Sequence, residues 1–315
     1  MEILKNITVP TGNILIVKGD KGKIECLSLG DYGKAINLNQ HKRVDHTDLL
    51  PLNEKWVCTI STQYGCSSGC KFCDVPKCGA GINATLDDIM QQVFTVKSLH
   101  PEIGACDRFN IHYARMGEPT WNPAVLDSAI LLRYVMPSFI VHPVVSTMMP
   151  KHNKNLEHFI RHWCYIKNEY YHGEAGLQLS LNSTDTEERR EMFSGNAADL
   201  RAISTMMGKM PPPVGRKYTL NFAIAEYKID AKKLAALFNP EHFVCKLTPM
   251  HKTETALAHG IKTKGDYTES YPYEEYEENL KAAGFETLVF IASREEDESR
   301  ITCGNAILAD EAERG

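Results

Sequence analysis

The chain begins MEILKNITVP and has no basic stretch leading into an apolar core, which sets aside a secretory leader. No apolar run is long enough to cross a bilayer, because the longest, 134–150, is broken by Pro137, His142 and Pro143. Nor is there an excess of positive charge: the formal net charge is −5, so no chain-wide basic field draws the protein to nucleic acid. Internal repeats and low-complexity linkers are missing too, which excludes a repeat architecture and a long flexible tether. What remains is a globular protein expected in the cytoplasm, away from membranes. Its 315 residues, 43% of them hydrophobic, suit one large domain with a small appendage.

Cysteine, by contrast, is plentiful. Ten cysteines in a reducing compartment point to metal or redox chemistry before disulfides, and five of them (Cys58, Cys66, Cys70, Cys73 and Cys78) fall in VCTISTQYGCSSGCKFCDVPKCG, residues 57–79. Cys26, Cys106, Cys164 and Cys245 read as core positions or incidental thiols, and packing is the first expectation for Cys58 and Cys78. The local basic pairs Arg189 with Arg190 and Arg216 with Lys217 read as solvated surface charge, as do the acidic runs 274–278 and 295–298.

Residues 12–38 carry β-branched runs separated by Gly-containing turns, which predicts a small antiparallel extension. From residue 55 onward, strand-like runs at 56–61, 108–114, 139–146, 176–182, 218–224 and 242–248 alternate with helix-like segments. These helices fall at 86–98 behind the N-cap Thr85, then at 124–134, 155–163, 186–192, 197–207 and 231–238. A helix at 273–283 and a strand at 285–292 lead into the C-terminal segment. Six βα units predict an α/β protein with a partial (β/α)6 TIM-like barrel, divided as a β extension over 1–54 and a barrel with its C-terminal segment over 55–315. Such barrels put their chemistry at the carboxyl ends of strands, and the cysteine cluster follows the first predicted strand.

Cys66, Cys70 and Cys73 form C-x3-C-x2-C in a loop with Gly65 and Gly69. Three thiolates so spaced can hold three corners of a cubane iron-sulfur cluster and leave one iron open; a structural zinc site completed by Cys78 is the competing reading. Phe72 stands just before Cys73, and C-x3-C-x-F-C resembles the signature of the radical S-adenosylmethionine (SAM) superfamily. The longer run STQYGCSSGCKFCDVPKCGAGINATLDDIMQQV is similar, without a gap, to the RlmN/Cfr family. That family methylates an adenosine carbon of ribosomal RNA, and its landmarks match Ser61, Gln63, Gly65, Gly79, Asn83, Ile89, Gln92 and Val93.

Further along, RMGEPTWN, VVSTMMP, LQLSLNS and CKLTPMH resemble the family's SAM-contacting segments, and the likeness runs from about residue 14 to residue 308. The resemblance implies a [4Fe-4S] cluster on Cys66, Cys70 and Cys73, with its open iron binding SAM. It implies cofactor contacts from Glu118, Pro119, Ser146, Ser180, Asn182 and His251, with Asn182 standing for a histidine and His251 for an asparagine. A flavodoxin or ferredoxin would supply the electron, and RNA or a nucleotide would be the substrate.

In the resembled family two cysteines carry the methylation. RITCGNAILA is similar to the segment of the methyl-carrying one, which implies that role for Cys303; a thiolate is what ordinary methyl transfer needs. The other family cysteine lies seven residues before the cluster, where this chain has Thr59, with Cys58 beside it. Neighbouring side chains on a strand face opposite ways, so Cys58 is expected to point away from the site unless a bulge intervenes. About a dozen residues precede the predicted β extension, where the family carries a helical accessory domain, so a smaller substrate is also expected. The competing functions are direct hydrogen abstraction from another, smaller substrate and a non-catalytic zinc or iron-sulfur protein.

Overall fold

The computed structural model describes residues 1–31, 49–262, 273–290 and 305–314. The Gly-rich turns near the start fold the chain into a meander of β1 (Glu2–Val9), β2 (Gly12–Gly19) and β3 (Gly22–Gly30), and β3 pairs antiparallel with β4 (Trp56–Ile60). The extension therefore starts at residue 2, ahead of its expected start at 12. β1 is largely exposed, so its sequence lacks the apolar alternation that would announce a strand.

From β4 the sheet continues in parallel through β7 (Cys106–Tyr113), β8 (Phe139–Thr147), β9 (Gly176–Ser180), β10 (Tyr218–Ile224), β11 (Phe243–Pro249) and β12 (Glu286–Val289), each beside its predecessor. All six strands of the expected βα units form, and the strand expected at 285–292 forms as β12, a seventh in the parallel run. A small ribbon, β5 (Gln63–Gly65) with β6 (Ala80–Asn83), frames the cysteine loop.

Helices fill the crossovers: α1 (Leu86–Ser98), α2 (Ala124–Val135), α3 (Leu156–Tyr165), α4 (Thr186–Met192), α5 (Leu200–Met207) and α6 (Ala231–Leu237). Thr85 caps α1 in a reciprocal box, its hydroxyl accepting from the Asp88 amide while the Asp88 carboxylate accepts from its own, each at 3.0 Å. α5 begins at 200 rather than 197 because Asp199 accepts from the Ala202 amide at 2.8 Å and makes the cap there. Short α7 (Glu254–Ala258), then α8 (Glu274–Ala282) and α9 (Asn305–Arg314), complete the described helices. Among the described residues no helix is long and apolar enough to cross a membrane.

One face of the parallel strands is apolar. Trp56, Cys58, Ile60, Phe109, Ile111, Tyr113, Leu177, Leu179, Leu220, Phe222, Cys245 and Leu247 are fully buried there, with Trp163 of α3 packed edge-on against Tyr113 at 5.9 Å. Cys26, Cys106 and Cys164 are buried as well, as expected of core thiols. The opposite face carries polar side chains, and the sheet curls around them. His112 on β7 feels the charge of Lys246 on β11, four strands away, a separation of about 19 Å in a flat sheet at about 4.8 Å per strand. The strands thus form the partial barrel, and the polar face lines its lumen.

Candidate active site

The cysteine loop hangs from a hydrogen-bonded frame. Ser61, just past β4, donates its amide to Gln92 Oε1 at 2.8 Å, receives Gln92 Nε2 on its carbonyl at 2.9 Å, and donates its hydroxyl to the Glu25 carbonyl at 2.6 Å. Gln63 donates Nε2 to the Gly81 carbonyl at 2.9 Å and to Asn83 Oδ1 at 2.8 Å, while its Oε1 accepts the Glu118 amide at 2.9 Å. Asn122 closes the frame by donating to the carbonyls of Thr62 and Ala84, both at 2.8 Å. Two glycines are steric necessities here. Gly65 (φ +73°) would drive a Cβ to 2.1 Å from the Gly79 carbonyl oxygen, and Gly117 (φ +91°) would drive one to 2.5 Å from Gln63 Cβ.

Within the loop Cys66, Cys70 and Cys73 are all half-buried. The Ser68 amide donates to Cys66 Sγ at 3.4 Å, and the Cys73 amide donates to the Cys70 carbonyl at 3.1 Å. Distant elements clamp the loop from outside: Asn196 Nδ2 donates to the Ser68 carbonyl at 2.9 Å, the Lys71 amide to the Met192 carbonyl at 2.9 Å, and Thr253 Oγ1 to the Phe72 carbonyl at 2.8 Å. Phe72, the aromatic of the motif, meets Phe193 edge-to-face at 5.5 Å.

Burial pushes the Cys70 thiol well above its ordinary range; the neighbouring Cys66 and Glu118 push the same way, and Arg189 opposes them. Cys66, Cys70 and Glu118 are therefore electrostatic neighbours, and metal binding would have to draw the proton from Cys70. Cys78 lies in different company: burial, then Glu25, Glu311 and Asp74, push its thiol up to about 12. Among the described residues no three His, Cys, Asp or Glu side chains converge at the spacing of a single metal ion. A cubane sets a different requirement, since each thiolate takes its own iron. The Ser68 hydroxyl, between Cys66 and Cys70, is buried with no hydrogen-bond partner, an orphan that an acceptor in the loop would satisfy. Thiol chemistry, half-burial and this orphan fit a cluster held by Cys66, Cys70 and Cys73.

At the strand ends, Glu118 follows β7 and is buried. Its Oε1 accepts from Thr120 N at 3.1 Å and Thr120 Oγ1 at 2.7 Å, and its Oε2 accepts from the Met148 amide just past β8 at 3.0 Å. Burial raises its affinity for a proton, against the pull of these hydrogen bonds. Pro119 opens the 3-10 turn that Glu118 caps. Ser146 on β8 and Ser180 on β9 are half-buried on the lumen face. Asn182 is buried at φ +62°, a backbone region asparagine tolerates, and its Oδ1 accepts the Ala223 amide at 2.9 Å. His251 is half-buried past the end of β11. Cys303 lies outside the described residues.

β4 keeps unbroken register with β3 and β7, so no bulge rescues Cys58: it is fully buried on the core face, and Thr59 takes the lumen face opposite His112. The basic pairs need correction. Arg189 is not surface charge but 2% exposed, donating to the carbonyls of Ser180 and Leu181 at 2.7 Å, Ala198 at 2.9 Å and Met148 at 3.0 Å, so it ties the ends of β8 and β9 together. The signal was in the sequence, since Arg189 shares a helical face with the apolar Met192 and Phe193. Only Arg190 is solvated. Arg216 is likewise half-buried and turned toward the lumen, while Lys217 pairs with Glu286 at 2.6 Å.

No family model matches the chain. The dual-specificity RNA methyltransferase RlmN of a Nitratiruptor species is 36% identical over 288 residues, covering 86% of this chain and 71% of the relative. The RlmN of Aliarcobacter butzleri is 27% identical over 215 residues, covering 64% of this chain and 55% of the relative, so the chain spans little more than half the length of that protein. Among solved structures, a radical SAM methyltransferase from Sphaerobacter thermophilus superposes with a TM-score of 0.67 at 18% identity, over 96% of this chain and 80% of that one, which supports the fold.

Proposed function

The chain belongs to the RlmN/Cfr-like family of radical SAM proteins, and from that premise we propose that it is a radical SAM methyltransferase. It modifies an adenine carbon of RNA or of a nucleotide through a methyl group carried on Cys303. Cys66, Cys70 and Cys73 hold the [4Fe-4S] cluster that the family implies. Bound by these thiolates and reduced by one electron from a flavodoxin- or ferredoxin-type donor, such a cluster would supply the reductive cleavage of SAM to methionine and a 5′-deoxyadenosyl radical.

The observation that carries this reading is the convergence of three strand ends. The cysteine loop after β4 neighbours the Glu118 carboxylate after β7, which in turn accepts the amide of Met148 after β8. The chain's own residues bind and orient. Glu118 is buried beside the thiols and suited to accept the ammonium of SAM, whose charge would offset the burial that favours its proton. Pro119 holds the turn, Ser146 and Ser180 offer hydroxyls on the lumen face, and Asn182 spends its oxygen on Ala223, which leaves its amide nitrogen for the cofactor. His251 flanks the same rim.

Reconstituted enzyme incubated with methyl-deuterated SAM and no substrate tests this reading through the mass of the Cys303 peptide. A deuterated methyl on Cys303 is expected. The β4 register favours a second reading, direct hydrogen abstraction, because Thr59 faces the lumen where the family has its other cysteine and Cys58 is turned into the core. An unmodified Cys303 in protein that still cleaves SAM under reduction selects that reading, and zinc without the broad visible band of a cubane removes both.

A further inference from the structure

Three cations, Arg108, Arg216 and Lys246, lie toward the lumen below the strand ends. Arg108 on β7, Arg216 at the entry to β10 and Lys246 on β11 make no ion pair within 4 Å among the described residues. Geometry sets them about one lumen: Arg216 Nη1 donates to the Glu174 carbonyl at 3.2 Å, the Glu174 carboxylate lies 3.4 Å from His142, His142 is in register with Asn110 two residues after Arg108, and Lys246 is in register with Asn221. Burial and then Arg108 lower the proton affinity of Arg216; burial lowers that of Lys246, which Asp31 opposes and Arg216 reinforces; and Lys246 and Arg216 both act on His112. Two acids act on them, Asp31 on Lys246 and Glu174 on Arg216, and each has another partner. Asp31 is committed to Lys55 at 2.8 Å, and Glu174, half exposed, lies 3.4 Å from His142. Gathering three like charges inside a barrel is costly unless an anion comes to meet them.

The strand registers set polar amides among these cations. Asn221 pairs with Ser180 on one side and Lys246 on the other, Gln178 lies between Ser146 and Thr219, and Asn110 lies beside His142. The side chains of Asn110, Gln178 and Asn221 make no hydrogen bond among the described residues, and Asn110 is only 6% exposed. Their polar atoms are not sealed in the core, because the buried unpartnered side-chain atoms among the described residues are those of Thr11 and Ser68. Amides that both donate and accept match the edge of a nucleobase, and guanidinium groups with an ammonium match a phosphate.

We propose that Arg108, Arg216 and Lys246 bind a phosphate group of the substrate in the barrel lumen, with Asn110, Gln178 and Asn221 reading the attached base. This rests on the radical SAM reading above and narrows its substrate to a nucleotide that carries its phosphate into the barrel.

Equilibrium dialysis of anaerobically purified full chain against AMP, adenosine and inorganic phosphate tests it, with visible absorbance recorded on the same samples. AMP should bind at least tenfold more tightly than adenosine, inorganic phosphate should compete with it, and Lys246→Met or Arg108→Met should erase the preference with the cluster band intact. Lys246→Arg keeps the charge and should keep the preference, which separates a lost contact from a damaged fold. Competition by a short adenosine-containing RNA at lower concentration than AMP identifies RNA as the source of the phosphate, and the reverse order identifies a free nucleotide. Equal binding of AMP and adenosine, or a preference that survives both Met variants, overturns the proposal. Absence of the cluster band would instead undermine the radical SAM reading and leave the phosphate preference to be read independently.

Discussion

The cysteine loop and the barrel lumen are both rich in polar side chains, yet they treat them in opposite ways. Around the loop almost every polar landmark is spent: Gln63 makes three hydrogen bonds, Gln92 and Ser61 bond one another twice, and Asn122 holds two carbonyls. In the lumen, Arg108, Asn110, Gln178, Asn221 and Lys246 make none among the described residues. A group that positions others must be satisfied by the protein, because a buried unsatisfied amide costs roughly 1–3 kcal/mol. A group that meets a ligand has to be left available. The frame and the receptor are therefore distinguishable by their hydrogen bonds before any ligand is seen.

The hardest test of the frame is the removal of what it presents. Replacing Cys66, Cys70 and Cys73 together with Ala should abolish bound iron and the broad visible band, whereas Cys78→Ala should leave both, because Cys78 stands outside the C-x3-C-x2-C spacing. A full cluster in the triple variant would break the ligand assignment. Next comes the buried pair beneath the frame. Arg115 Nε donates to Glu25 Oε2 at 2.7 Å, both side chains are at most 1% exposed, and Glu25 Oε1 also accepts the Ile307 amide of α9 at 2.8 Å. Arg115→Met strands the Glu25 carboxylate and should cost about 3–5 kcal/mol in urea unfolding. A loss below about 1 kcal/mol would mean that the pair is not sealed from water.

A direct comparison of the two regions uses one amide from each. Gln63→Ala leaves the Glu118 amide and Asn83 without their partner and should cost roughly 1–3 kcal/mol. Gln178→Ala removes a side chain with no hydrogen-bond partner among the described residues and should change stability by less than about 0.5 kcal/mol. Equal costs would erase the distinction between frame and receptor.

Much of this was legible in the chain. The six strands were marked by apolar runs because one face of each is fully buried, Thr85 announced α1, and the spacing of Cys66, Cys70 and Cys73 drew attention to the loop. Alternation alone gave the opposed orientations of Cys58 and Thr59. β1 was hidden because it is mostly exposed and polar, and α9 because it is strongly charged, held by ion pairs such as Lys5 to Asp310 at 3.3 Å. Arg216 was misread for a deeper reason. Nothing local in sequence links it to Arg108 and Lys246; only the curl of the sheet brings them together.

That convergence also predicts the mildest effect, a pH dependence located in the lumen. Burial, then Lys246, Arg216 and Lys55, hold His112 down to about 3, with Asp31 opposing; burial, then Arg108 and Arg216, hold His142 down to about 4, with Glu174 opposing. Both start from an ordinary value of 6.5, so below that pH the unfolded chain binds protons that the folded lumen refuses. Stability is complete above 6.5 and falls with pH from there toward the folded values, by about 1.4 kcal/mol per pH unit for each histidine. The frame responds in a lower window. Burial raises the Asp74 carboxyl, but hydrogen bonds from Thr255 and Lys77 outweigh it and leave the group below its ordinary 3.8, so its contribution is lost only as pH falls past that value. Urea unfolding at pH 7 and pH 5.5 should therefore show a drop in the native protein that His112→Gln reduces by about one histidine's share. An unchanged drop in that variant would mean that His112 is solvated and that the lumen cations do not converge on it.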